Sequence, residues 1–85
     1  MSDIVSLEGP VELENGQLTI RIPLEYGGAE LAPFTTGIGE IQDGDLVVVI
    51  QPWLAEKLNI GAESLVVVDN VEGKFRITRS AANDA

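Results

Sequence analysis

The chain has 85 residues, with 14 carboxylates against 5 basic side chains for a formal net charge of −9, and it contains neither histidine nor cysteine. That length holds one hydrophobic core, and the missing residue types exclude disulfides, His-ligated metals and Ser-His or Cys-His nucleophiles. A hydrophobic fraction of 45% beside 22% charged residues is that of a folded globular domain and excludes global disorder.

Further expectations follow from the same numbers. No stretch approaches the roughly 20 apolar residues of a spanning helix, and Met1-Ser2-Asp3 lacks the basic start of a signal peptide, so no membrane association is expected and the cytoplasm is the default location. The acidic field repels nucleic acid and anionic lipid over about a Debye length, ~8 to 10 Å, and serves either to keep the chain soluble or to attract cationic partners. A small core without disulfide or zinc leaves association as the remaining stabiliser, so a homodimer or higher homo-oligomer is expected.

Residues 1–8 and 80–85 are short, polar or small and read as fraying ends, with Ile4, Val5 and Leu7 offering a short edge strand. Residues 10–24 read as a β-hairpin: Val11 to Glu14 alternates, Asn15-Gly16 is a type I′ turn dipeptide, and Leu18, Ile20, Ile22 and Leu24 continue at period two. Pro23 ends that strand or leaves an edge beyond it. From Ala29 to Gly39 the reading is loop or a single helical turn, broken by Pro33, Gly37 and Gly39, with Ile38 and Ile41 as inward anchors.

Asp43-Gly44 then launches Leu46 to Ile50, an apolar run too β-branched for a helix and suited to a strand buried on both faces. Pro52 at a first helical position, Leu54 and Leu58 at i, i+4, and Asn59 at a left-handed end predict a short helix over about residues 52–59. Leu65 to Val68 is a second apolar strand, Glu72-Gly73 a turn, and Lys74 to Arg79 an alternating last strand. The predicted fold is one domain over residues 1–85, mainly β, a small barrel of about five to seven short strands with one short helix. Residues 44–79 form its β-α-β-β unit.

The segment Gly44 to Arg79, with its Gly-led strand, the helix ending Leu58-Asn59-Ile60, the acidic Glu63 and the closing hairpin Glu72-Gly73-Lys74, resembles the AbrB/MazE family of swapped-hairpin domains. The resemblance covers under half of the chain. It implies a homodimer with exchanged hairpins, and DNA binding as a transcriptional regulator or antitoxin. The chain departs from the family's basic first strand, since Glu40, Asp43 and Asp45 stand there. Lys74, Arg76 and Arg79 are the cluster left for DNA, few for the several phosphate contacts that specific binding needs. A second alignment, Asn15 to Ile20 with Asp43 to Val48, suggests two fused half-barrels and resembles the double-psi relatives of that fold, which close within one chain.

Candidate chemistry is sparse. Glu40, Asp43 and Asp45 lack the spacing of a calcium loop and flank a solvated turn, a poor setting for a raised carboxylate pKa, so neither catalytic residues nor a metal or other cofactor are expected. Gly37-Ile38-Gly39 lacks the lysine of a phosphate cradle. Tyr26, Phe34 and Trp53 sit beside proline or glycine at the ends of elements, positions that fill a core or line an interface or pocket mouth. The leading expectation is therefore a non-enzymatic homo-oligomeric binding module. Tyr26, Phe34 and Trp53 supply apolar contact, and Glu40, Asp43 and Asp45 supply charge for a basic protein or a cationic small molecule. The alternatives are the DNA-binding regulator and a small carboxylate-dependent enzyme.

Overall fold

The computed structural model describes residues 6–84, and within them the chain is mainly β, built from hairpins separated by helical segments. The hairpins are β2 (Glu12–Glu14) with β3 (Gln17–Pro23), β4 (Gly39–Gln42) with β5 (Asp45–Ile50), and β6 (Leu65–Val71) with β7 (Lys74–Arg79); β1 (Ser6–Pro10) precedes them. Leu7 is in β1, whereas Ile4 and Val5 lie outside the described residues. At each tip both turn residues have positive φ: 52° and 80° at Asn15-Gly16, 51° and 83° at Asp43-Gly44, 53° and 77° at Glu72-Gly73. Such turns match the twist of the strands they join, which is why the hairpins close with no further loop.

The strands form two antiparallel sheets, in the orders β1-β6-β7 and β2-β3-β5-β4. β1 and β2 act as one bent run. The Val11 N–H donates to the Ser64 carbonyl at 2.8 Å, and the Glu63 N–H to the Val11 carbonyl at 2.7 Å, after which the chain leaves β6 and pairs with β3. Val11, 1% exposed, plugs that corner. The sheets share it but do not close into a barrel: beyond it β1 stays with β6 and β3 with β5, and among the described residues β4 and β7 pair with no further strand.

The core lies between the sheets. Ile20, Ile22, Leu46, Val48 and Ile50 meet Val66, Val68 and Ile77 across the gap, with Leu31, Ala55 and Ile60 from the connecting segments. Ile41, expected to point inward, is 59% exposed. It lies opposite Leu46 on β4, an edge strand that reaches past the other sheet.

Sliding the first hairpin along the sequence until Asn15 meets Asp43 also brings Glu12 onto Glu40, Leu13 onto Ile41 and Ile22 onto Ile50. In the sheet Ile20 pairs with Val48, Leu18 with Ile50 and Ile22 with Leu46. The same shift maps Ile20 onto Val48 and exchanges the other two pairs, so a pseudo-two-fold axis passes between Ile20 and Val48. The repeat is thus a geometric fact of the four-stranded sheet.

Helix α1 (Gly28–Leu31) lies between short 3-10 turns, where the sequence allowed a loop or one helical turn. Gly28 is required there, because a Cβ would lie 2.7 Å from the Ile22 carbonyl oxygen. Helix α2 (Pro52–Leu58) takes the predicted place. Pro52 lacks a donor that the first turn would leave unpaired, and Ala55 is buried. Asn59 ends the helix at φ 56°, with the Ile60 N–H donating to the Ala55 carbonyl and the Asn59 N–H to Glu56, a Schellman termination.

The last residues, read as fraying, form a 3-10 turn over Ala81–Asp84. Asn83 accounts for the difference: its Oδ1 accepts the Leu65 N–H at 2.7 Å, and its Nδ2 donates to the Leu65 and Ser80 carbonyls at 2.6 and 2.9 Å. A side-chain amide here does the work of a strand partner.

Candidate functional site

Strand alternation sends Thr19, Arg21, Val47 and Val49 to the face of the four-stranded sheet that is turned away from the core. Val47 is 4% exposed and Thr19 3%, yet neither belongs to the core cluster. Longer side chains on neighbouring strands shelter them: Arg21 and Glu40 flank Val47 in register, and Glu12 stands opposite Thr19.

Arg21 organises one half of this face. Its Nη2 donates to Glu14 Oε1 at 3.0 Å and its Nη1 to Asp45 Oδ2 at 3.5 Å, and its Nε lies 3.8 Å from Glu12 Oε2. The Thr19 hydroxyl donates to the second Glu14 oxygen at 3.1 Å. The Arg21 guanidinium, with Thr19 assisting, holds the Glu14 carboxyl below its ordinary value, and the Glu14 hydrogen bond raises Arg21 in return. Glu14 is therefore firmly ionised at neutral pH, the opposite of what a general acid needs.

Over Val47 and Val49 the face is hollowed by two shallow concavities of about 450 and 340 Å³, which share Gln17, Glu40, Val47 and Val49 as walls and floor. The first runs on to Gln51 and to the Gly37–Gly39 loop, the second to Glu14 and Gln42. Gln42 donates to Glu40 across the rim. The result is an apolar strip of two valines bordered by carboxylates and primary amides. Four carboxylates, Glu12, Glu14, Glu40 and Asp45, share this face with the single cation Arg21.

The residues expected to form one site are divided. Glu40 borders both concavities and Asp45 belongs to the Arg21 group, whereas Asp43 is an exposed turn residue at φ 51°. Tyr26 lines a separate cavity between β1 and β3. Trp53, read as core or interface, is 64% exposed on the first turn of α2, and Phe34 is 36% exposed in a 3-10 turn. Neither Phe34 nor Trp53 borders the concavities over Val47 and Val49. Among the described residues, no three acidic side chains converge as metal ligands.

The basic residues of the last hairpin are divided too. Arg76 is clamped by Asp69, its Nε and Nη2 donating at 3.0 and 2.7 Å, and this pairing raises the Arg76 pKa. Arg79 lies opposite Val66, on the strand parity of Phe75 and Ile77, and so on the other side of the sheet from Lys74 and Arg76. Among the described residues, no helix is long and apolar enough to cross a membrane.

The sequence reading missed Glu14, Gln17, Arg21 and the two valines. The hairpin register alone sets Glu12 opposite Thr19 and Glu14 opposite Gln17, so that much of this half was accessible from the turn dipeptide. In comparisons with known proteins, no family model, no curated protein and no solved structure matches this chain. The likeness to AbrB/MazE domains therefore rests on the residues of Gly44 to Arg79 alone.

Proposed function

We propose that the chain is a non-enzymatic binding module whose acidic outer sheet face takes an extended, basic segment of a partner protein. The observation that carries this reading is the Val47–Val49 strip within a border of Glu14, Glu40, Gln17 and Gln42. Apolar side chains of the segment would lie on Val49 and on the stems of Arg21 and Glu40 that cover the buried Val47, its amides would meet the glutamine side chains, and its Lys or Arg residues would reach the carboxylates. The net charge of −9 steers such a segment to the surface and makes the association sensitive to salt. Self-association, where it accompanies binding, would join folded chains through exposed apolar residues such as Leu13, Ile41 and Trp53.

The test is an amide NMR titration with an alternating Lys-Val peptide at low and moderate ionic strength. Saturable shifts are expected at Thr19, Val47, Val49 and Gln51, with affinity reduced about tenfold when Glu14 and Glu40 both become Gln. Shifts confined to other surfaces, or affinity indifferent to those substitutions, would overturn the proposal.

A further inference from the structure

A second cavity lies on the opposite flank of β3. Past the Val11 corner β1 stays with β6 and β3 with β5, and the wedge between β1 and β3 holds a cavity of about 100 Å³. Its floor is aliphatic: Leu7 and Gly9 of β1, Ile20 and Ile22 of β3, Val66 and Val68 of β6. Leu7 stands opposite Val68 and Gly9 opposite Val66, on the core side of β1, and a Cβ built on Gly9 meets nothing within 4 Å. Glycine inside a strand forgoes packing, and here the missing side chain contributes to the void.

Glu8 and Arg21 border the same cavity, although both side chains are turned elsewhere: the Glu8 carboxylate to Ser80, the Arg21 guanidinium to Glu12, Glu14 and Asp45. They border it by main chain. Along an antiparallel strand the N–H and C=O of one residue address one neighbouring strand, and those of the next residue address the other. The Val49 N–H donates to Ile38, on the β4 side, so Val48 addresses β3, Ile20 opposite it addresses β5, and Arg21 points away from β5 into the wedge. In β1 the Val11 N–H and C=O both address Glu63 and Ser64, just ahead of β6. Gly9 and Leu7 therefore address β6, and Glu8 points away from it, toward β3. Two strand edges face each other over an apolar floor, and among the described residues no strand lies between them.

This combination selects its occupant. A hydrocarbon would fill the floor but dry the main-chain groups above it without giving them partners, which costs free energy. An extended peptide brings matching N–H and C=O groups and turns every second side chain to the same face. We infer that the wedge takes an uncharged extended segment of a partner protein as an added strand. The segment's main chain pairs with Glu8 and Arg21, and one Val or Leu side chain fills the space left by Gly9. An apolar cavity only somewhat larger accommodates benzene, so the volume suits a single branched side chain. The site is separate from the valine strip and does not rest on it. It engages no charged side chain, so its occupancy is insensitive to salt.

NMR titrations with the neutral capped peptide acetyl-Thr-Thr-Val-Thr-Thr-amide test the inference. Saturable methyl shifts are expected at Leu7, Ile20 and Val66, with hydrogen exchange of the Glu8 and Arg21 amides slowed at saturation. Affinity should change by less than about twofold between low and moderate ionic strength. Glycine in place of the central valine should weaken binding by about tenfold or more. Gly9→Val places a β-branched side chain in the void, and should reduce affinity for the valine peptide by about tenfold or more while circular dichroism reports a folded chain. Gly9→Ala, which fills less of the space, should give an intermediate loss and serves as the second variant. An absence of saturable methyl shifts, or affinity unchanged in both Gly9 variants, would overturn the site. Methyl shifts without slowed exchange at both Glu8 and Arg21 would overturn the added strand, as would benzene shifting those methyls where the peptide does not. A steep loss of affinity with salt, with shifts at Val47 and Val49, would place the peptide on the valine strip and overturn the wedge as its site.

Discussion

Arg21 faces three carboxylates, and the geometry ranks them: the 3.0 Å bond to Glu14 is the shortest, ahead of Asp45 at 3.5 Å and Glu12 at 3.8 Å. Glu14 also receives the Thr19 hydroxyl, so both of its oxygens are hydrogen-bonded in the ionised form. Hydrogen bonds to the charged form lower a carboxyl pKa in the folded chain while the unfolded chain keeps the ordinary value. The stability this contributes is fully present above the ordinary carboxylate value, and is lost as the pH falls through the lower folded value. A side-chain carbon NMR titration should therefore find Glu14 titrating below the usual carboxylate range. Replacing Arg21 with Met should move that midpoint up toward the ordinary value; an unmoved midpoint would mean that Thr19 and the local backbone, not Arg21, set it.

At the scale of elements, the three hairpins use the same turn with different first residues. Asn15, Asp43 and Glu72 all occupy the left-handed region, at φ 52°, 51° and 53°. Asparagine and aspartate tolerate that region because their short side chains bond locally, whereas glutamate gains nothing comparable. Glu72→Asn should accordingly stabilise the chain by about 0.5 to 1 kcal/mol, raising the thermal midpoint by a few degrees. Calorimetry checks it, and a lower midpoint would show that Glu72 makes a compensating interaction. The turn dipeptides also explain what was legible in the sequence. The first and third hairpins and α2 carried local signals: Asn15-Gly16, Glu72-Gly73, and Pro52 with Leu54, Leu58 and Asn59. β4 carried none, since its core-facing positions are a glycine and the edge residue Ile41, and Gly37 and Gly39 look like loop. The valine strip was hidden because an unbroken run such as Leu46 to Ile50 does not say which valines face the core. The aromatics misled for a related reason: standing beside Pro or Gly places Tyr26, Phe34 and Trp53 at the ends of elements without saying which ends meet.

For the whole molecule the decisive feature is that one chain supplies both sheets. Ile20, Val48 and Ile50 are covered by Val66, Val68 and Ile77 of the same chain, and the bent β1–β2 run stitches the sheets together at Val11. The pseudo-two-fold axis between Ile20 and Val48 relates two hairpins within the chain. The four-stranded sheet thus has both of its related hairpins within the chain. We predict that folding does not depend on self-association, and a consequence follows by mass action. Where folding and assembly are one event, the thermal midpoint rises with protein concentration; where a monomer folds alone, it does not. The midpoint followed by circular dichroism should stay constant over about a hundredfold dilution, even under conditions where light scattering finds a dimer. A midpoint that climbs with concentration would show that the sheets are completed between chains, and would return the exchanged hairpin to the centre of the fold.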